Sequence, residues 1–237
     1  MDLNRKLSGQ IERVSDLSPD LREAMFKLMN EFYHADKTTF FRDLEEKSRV
    51  ILLKDMDGQI KGFTSAKIFD LKIADETIKI LFSGDTIIHP DFWGTLELPK
   101  IWGRFMLETL EEIGPQPLYW FLISSGFRTY RFLPAYFHEF YPRHDKATPT
   151  KMQEILDSAA TRLFGNRYNP AEGIIRLEHP TPLRKGLSAS GEERKGNPHI
   201  DFFLKSNPGC VEGDELACIT QLTLENIKPF VKRLLRS

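Results

Sequence analysis

Two periods of apolar spacing run along this chain, and the switches between them divide it into elements. After a mostly polar lead-in with a short strand around Ile11 to Val14, Ser18-Pro19 sets a helix start, Ser at the cap and Pro where a missing N–H costs nothing. The next stretch, LREAMFKLMNEFY, puts Leu21, Met25, Leu28, Met29 and Phe32 on one face of that helix. A second helix is expected over Thr38 to Glu46, carrying Phe40, Phe41 and Leu44. The spacing then drops to that of strands. Arg49 to Lys54 (RVILLK) and Ile60 to Phe69 read as hairpin partners across Asp57-Gly58, and a turn follows near Ala74-Asp75. A third strand of this group alternates Ile78, Ile80 and Phe82, then Thr86 and Ile88, with Gly84 inside it as at a bulge or a close backbone approach. Pro90 and Asp91 end it. Beyond a loop centred on Gly94, Ile101, Trp102, Phe105, Leu107, Leu110 and Ile113 recur near helical spacing, with Pro99 in the first turn.

Gly114-Pro115 and Pro117 break that helix, and Leu118 to Ile123 (LYWFLI) is apolar throughout, as a strand buried on both faces should be. Ser124-Ser125-Gly126 closes it. Arg128 to Phe140 reads as a helix either kinked by Pro134 or beginning there, and Tyr141-Pro142 ends it. Pro149 to Phe164 is amphipathic and helical through Met152, Ile155, Leu156, Ala159 and Leu163. Residues 180–198, rich in Pro, Gly, Ser and charge, read as a loop. His199 to Lys205 (HIDFFLK) reads as a strand, Asn207-Pro208-Gly209 as a turn, Leu216 to Leu224 as a second strand and Glu225 to Leu235 as a closing helix.

Composition narrows the classes. A chain of 237 residues, 41% apolar and 28% charged, suits one compact domain with additions or two small ones. A formal charge of -1 gives no basic excess, so neither nucleic acid nor an anionic membrane is an expected partner. Two cysteines, Cys210 and Cys218, make no disulfide framework and suit a reduced interior. The first residues lack the apolar core of a signal peptide, and Leu118 to Ile123, the longest apolar run, is too short to span a bilayer; the expectation is a cytoplasmic protein. His138 and His144 lack metal-ligand spacing and neither cysteine has a CxxC partner, so no metal is expected. There is no GxSxG elbow and no GxxxxGK[ST] loop. Many of the 18 phenylalanines, against 6 tyrosines and 3 tryptophans, belong to a core, and their number also allows an apolar tunnel or groove.

A strand feeding a glycine loop at a helix N-terminus is a general anion cradle, because the first N–H groups of a helix lack partners. The order of helix, helix, antiparallel strands, long strand, glycine loop, helix, buried strand, helix and final strand pair, with HPDFWG at the loop and Ile200 to Leu224 as the closing pair, resembles the GNAT acyltransferase superfamily. Its members move an acyl group from acyl-coenzyme A to an amine. The resemblance implies an α+β fold: a GNAT-like mixed, mainly antiparallel twisted sheet flanked by helices and splayed between strands 4 and 5. It implies a single domain over 1–237, with its core at 10–142 and 199–237 and an insertion at 143–198. The donor would lie along Ile87, Ile88, Trp93, Gly94, Thr95 and Leu96, with Ser124 in the place of an asparagine that often ends the buried strand.

The family's loop reads Gln/Arg-x-x-Gly-x-Gly/Ala and holds the donor's pyrophosphate on backbone amides. Here the six residues are Asp91-Phe92-Trp93-Gly94-Thr95-Leu96, and only Gly94 matches. Asp91 puts a carboxylate near phosphate, and like charges about 4 Å apart repel by about 1 kcal/mol even in water. Leu96 stands where a small residue allows close approach. An acyl group on a carrier protein's phosphopantetheine would tolerate both changes, so the donor is either acyl-CoA or an acyl-carrier protein, with long chains admitted by the phenylalanines.

Amide formation needs a base for the amine, a donor to the thioester carbonyl and an acid for the leaving thiolate. Asp85, after Gly84, is the one acid between Ile78 and Ile88, and strands rarely hold an aspartate without reason, so it is the candidate base. The resemblance makes Tyr130 the candidate acid, with Tyr136 as the alternative if the helix begins at Pro134. The acceptor would be a small-molecule or peptide amine, the assembly a monomer or a homodimer. The other reading is a GNAT-shaped ligand-binding or regulatory domain without catalysis.

Overall fold

The computed structural model describes residues 6–178 and 196–235. Its strands are β1 (Ser8–Arg13), β2 (Arg49–Lys54), β3 (Ile60–Ile73), β4 (Glu76–Ile88), β5 (Leu118–Ser124), β6 (Tyr168–Asn169), β7 (Ile174–Ile175) and β8 (Glu215–Gln221). They follow the order β1-β2-β3-β4-β5-β8-β7-β6 in the sheet, mostly antiparallel with a parallel step at β4 and β5. The helices are α1 (Pro19–Phe32), α2 (Lys37–Glu45), α3 (Glu97–Ile113), α4 (Phe127–Tyr130), α5 (Phe132–Tyr136), α6 (Thr150–Phe164), α7 (Pro198–Ser206) and α8 (Pro229–Leu234). This is the expected α+β class, and the expected order of elements is present from α1 through β5. The chain divides into two compact units: Met1–Ile68 with Ser83–Gly114 and Arg233–Ser237, and Phe69–Phe82 with Pro115–Lys232.

In the first unit, local chemistry sets the helix starts. Ser18 Oγ accepts the Leu21 N–H at 3.2 Å and Asp36 Oδ1 accepts that of Thr39 at 2.8 Å, each cap worth about 1 kcal/mol. The β2–β3 turn is tied by Asp55 Oδ1, which accepts the N–H groups of Asp57 and Gln59. β2 pairs antiparallel with β1 and with β3, and its residues Val50 to Leu53 are buried. α3 packs on β1 and β2. A Cβ at Gly9 would sit 2.8 Å from Ile101 Cβ, so this approach needs glycine.

In the second unit, β5 pairs antiparallel with β8 from Tyr119↔Gln221 to Ser124↔Leu216. β7 lies on the other edge of β8, and β6 pairs with β7. α6 buries Ile155, Leu156, Ala159 and Ala160 in a core with Phe82, Phe121, Tyr168 and Ile219. A large apolar side chain buried this way contributes about 1.5–3 kcal/mol.

Four expectations need correction. His199 to Lys205 is helix, not strand: Asn197 Oδ1 caps it through the His199 N–H at 3.0 Å, Pro198 opens its first turn, and Ile200 and Phe203 turn inward at helical spacing. The second edge of β8 is filled instead by β7, from within the stretch expected to be an insertion. The helix expected at Arg128–Phe140 is two short ones, and the chain beyond Tyr136 is extended, bridging Phe137 to Ile227 and Tyr141 to Ile219. The closing helix covers only Pro229–Leu234. The loop read at 180–198 lies outside the described residues up to Lys195.

Candidate active site

β4 is irregular at Asp85, and side chains of β3 meet it there. Asp85 takes φ +46°, a left-handed conformation that costs most residues energy and that Asp tolerates better than most. Side-chain hydroxyls reach the Gly84 carbonyl oxygen, Ser65 Oγ at 3.2 Å and Thr64 Oγ1 at 3.5 Å. Ser65 Oγ also lies 3.4 Å from Asp85 Oδ2, and the Thr64 and Thr86 hydroxyls bond at 2.7 Å. Thr64 and Ser65 are buried while Asp85 is half-buried, so the bulge is anchored inside with its carboxylate reaching outward. On α2, Asp43 is held above the usual carboxylate range, first by burial and then by the charge of Asp85.

The stretch after β4 uses much of its hydrogen bonding on itself. His89 Nδ1 accepts the Asp91 N–H, and the His89, Pro90 and Phe92 carbonyls accept from Phe92, Trp93 and Thr95. Thr95 Oγ1 accepts the Glu97 N–H at 3.2 Å, and the Trp93 indole donates to the Ile88 carbonyl at 2.8 Å. Gly94 has φ +88° with open space around it. Glu97, in the first turn of α3, accepts the Gly9 N–H at 3.2 Å. The Trp93 and Leu96 side chains are exposed. Ile87 is buried and Ile88 half-buried.

Ser124 ends β5 fully buried, its hydroxyl donating to the Gly126 carbonyl at 2.7 Å. It faces no open space for a ligand through that hydroxyl. Tyr130 is fully buried among Phe140, Phe202 and Phe203, its hydroxyl donating to the Pro142 carbonyl at 2.9 Å, and burial pushes its ionisation far above the tyrosine range. Its one proton is already committed. Tyr136 is half-buried and stacked on Phe132, and its hydroxyl has no hydrogen-bond partner among the described residues. Burial raises its ionisation as well.

Two residues escaped the sequence reading. Asn207, at the end of α7, donates through Nδ2 to the carbonyls of Ser124 and Asp214 at 3.3 and 2.8 Å, while its Oδ1 is buried without a partner. Ser65 is the other, and neither carries a local signal, because the partners lie 83 and 19 positions away. Among the described residues no group of three or more His, Cys, Asp or Glu is placed to hold a metal, and no helix is long and apolar enough to cross a membrane.

No family model matches the chain, and no curated protein matches it. Among solved structures it is similar to a conserved protein of unknown function from Enterococcus faecalis V583, described as a probable N-acyltransferase. That likeness covers 60% of this chain and 38% of the other at 13% identity, with a TM-score of 0.44, so the chain spans well under half of that protein. It is similar to the GNAT family N-acetyltransferase YhbS of Escherichia coli in complex with CoA, at 12% identity over 54% of this chain and 68% of that one, TM-score 0.39. It is also similar to Escherichia coli ElaA, at 15% identity over 61% and 93%, TM-score 0.39.

Proposed function

We propose that the chain is an N-acyltransferase that moves an acyl group from a thioester to an amine. The observation that carries this reading is the left-handed backbone at Asp85 inside β4, where a β3 hydroxyl reaches the Gly84 carbonyl and the Asp85 carboxylate, and Asp85 stays half-buried. Asp85 takes the proton of the attacking ammonium, directly or through water, and the freed nitrogen bonds to the thioester carbon. A backbone N–H of β4 past the bulge polarises the carbonyl oxygen. As the C–S bond breaks, the thiolate takes up a proton; of the two tyrosines considered as its source, Tyr136 has an unengaged hydroxyl and Tyr130 is held by the Pro142 carbonyl. The acceptor is a small-molecule or peptide amine.

The committed hydroxyls of Tyr130 and Ser124 favour a second reading, a domain of this fold that binds a thioester without turning it over. Thiol release from acetyl- and palmitoyl-thioesters against a panel of primary amines separates the two. Amine-dependent release that Asp85→Asn lowers and Tyr136→Phe slows supports the enzyme. Donor-induced stabilisation without release supports the binding domain, and neither response removes both.

A further inference from the structure

The loop between β4 and α3 does not fit a diphosphate. A backbone cradle needs several N–H groups converging on one anion, and Asp91, Phe92, Trp93, Thr95 and Glu97 all spend theirs on loop acceptors. The remaining donors of the loop proper, Gly94 and Leu96, alternate with bonded ones instead of forming a run. Charge points the same way. Between His89 and Lys100 the chain carries the carboxylates of Asp91 and Glu97 against one lysine ammonium. Glu97 already sits in the first turn of α3, where an incoming anion would profit from the helix dipole, and its side chain is fixed there by the Gly9 N–H. The Asp91 side chain is exposed and its Oδ2 lies 3.5 Å from His89 Nδ1, so it contributes negative potential to the loop surface. Finally, apart from Asp91 the exposed side chains here are apolar: Trp93 is 45% exposed and Leu96 47%. A tryptophan and a leucine beside an unobstructed glycine make a surface for a neutral, flexible arm, not for phosphates.

We infer that the donor is recognised as a pantetheine thioester whose phosphate-bearing end gets no help from this loop, so that coenzyme A binds no better than pantetheine. The inference rests on the acyl-transfer reading and deepens it by naming the donor class. Free coenzyme A and the phosphopantetheine arm of a carrier protein share the pantetheine thiol, and differ in that coenzyme A adds a diphosphate where the carrier arm has one phosphodiester.

Calorimetric titration of the full chain with coenzyme A, pantetheine, adenosine 3′,5′-bisphosphate and holo- and apo-acyl-carrier protein tests it. Coenzyme A and pantetheine should bind within about threefold of one another, with no detectable binding of the bisphosphate. Coenzyme A about thirtyfold tighter than pantetheine, or displaced by the bisphosphate, overturns the inference and leaves acyl transfer standing. A holo-carrier tighter than pantetheine by about tenfold or more identifies the carrier as the source, and parity identifies a free thioester; both sustain the inference. Absence of binding by every thiol removes it together with the acyl-transfer reading. The double variant Asp91→Gln with Leu96→Gly is the converse arm. It should gain about tenfold for coenzyme A and nothing for pantetheine, because only the phosphates feel the lost charge and the opened space. An equal gain for both, or none, overturns the assignment of discrimination to these side chains.

Discussion

Ser65 Oγ lies 3.2 Å from the Gly84 carbonyl oxygen and 3.4 Å from Asp85 Oδ2, yet a hydroxyl has one proton to give. It serves one acceptor at a time, and the other must be met elsewhere. Thr64 Oγ1 reaches Gly84 only at 3.5 Å and is already engaged with Thr86 at 2.7 Å. Ser65→Ala therefore leaves a part-buried carbonyl short of a donor and should cost about 1–3 kcal/mol in urea unfolding. A Ser65→Ala chain as stable as the parent would show that the bulge does not depend on this hydroxyl.

The left-handed backbone at Asp85 predicts an ordering among substitutions. Asn tolerates φ +46° as Asp does, so Asp85→Asn should keep stability within about 0.5 kcal/mol of the parent. A β-branched residue does not, and Asp85→Val should lose about 1–3 kcal/mol. If Asp85 is the base, both variants lose turnover by about a hundredfold or more, with donor affinity unchanged for the Asn variant. Equal stability of Asn and Val variants would contradict the strained geometry, and an Asn variant with full turnover would remove the base.

Asp43 ties stability to pH. Burial, and then the charge of Asp85, raise its folded-state ionisation above the unfolded value of 3.8. The folded chain thus holds the proton more tightly than the unfolded chain. Asp43 supports folding below the ordinary carboxylate range, and that support is lost as pH rises through the raised value. Asp43→Asn should accordingly be more stable than the parent at pH 7, with the difference shrinking toward pH 4. The gain should also be smaller in an Asp85→Asn background, where the largest of the charges that raise it is gone. Thermal melts across that pH range report both effects, and a pH-independent difference would reject the assignment.

What the sequence made legible and what it hid follow one division. Caps, turns and strand alternation act over a few residues, so Ser18-Pro19, Asp57-Gly58, RVILLK and LYWFLI sit where their local chemistry puts them. HIDFFLK misled because its apolar positions fit both periods over seven residues; Asn197-Pro198, just upstream, resolved it as a helix start. Gly84 and Asp85 were visible as oddities in a strand, but the hydroxyls of Thr64 and Ser65 that hold them belong to another strand. Tyr130 looked like a reactive tyrosine from its position after the buried strand. Its burial by Phe140, Phe202 and Phe203 depends on chain brought in from far along the sequence.

The amide of Asn207 can be read in one orientation only. Its nitrogen donates to the carbonyls of Ser124 and Asp214, and a flipped amide would set oxygen against both. Asn207→Ala removes two donors but also frees the protein of a buried, unpartnered Oδ1, whose desolvation was itself unfavourable. These offset in part, and the net cost should be about 1–3 kcal/mol. Asn207→Asp keeps the shape and loses the compensation. An ionised carboxylate there would face two carbonyl oxygens in a fully buried site, so the variant must either take up a proton or unfold. Its ionisation in the folded state is then raised, and the linkage runs one way: stability relative to the parent improves as pH falls, because the protonated acid regains one donor. Melting curves at pH 8 and pH 5 should show Asn207→Asp below Asn207→Ala at the higher pH and closing on it at the lower. The reverse order at pH 8 would mean that the nitrogen of Asn207, not its oxygen, is the atom without a partner.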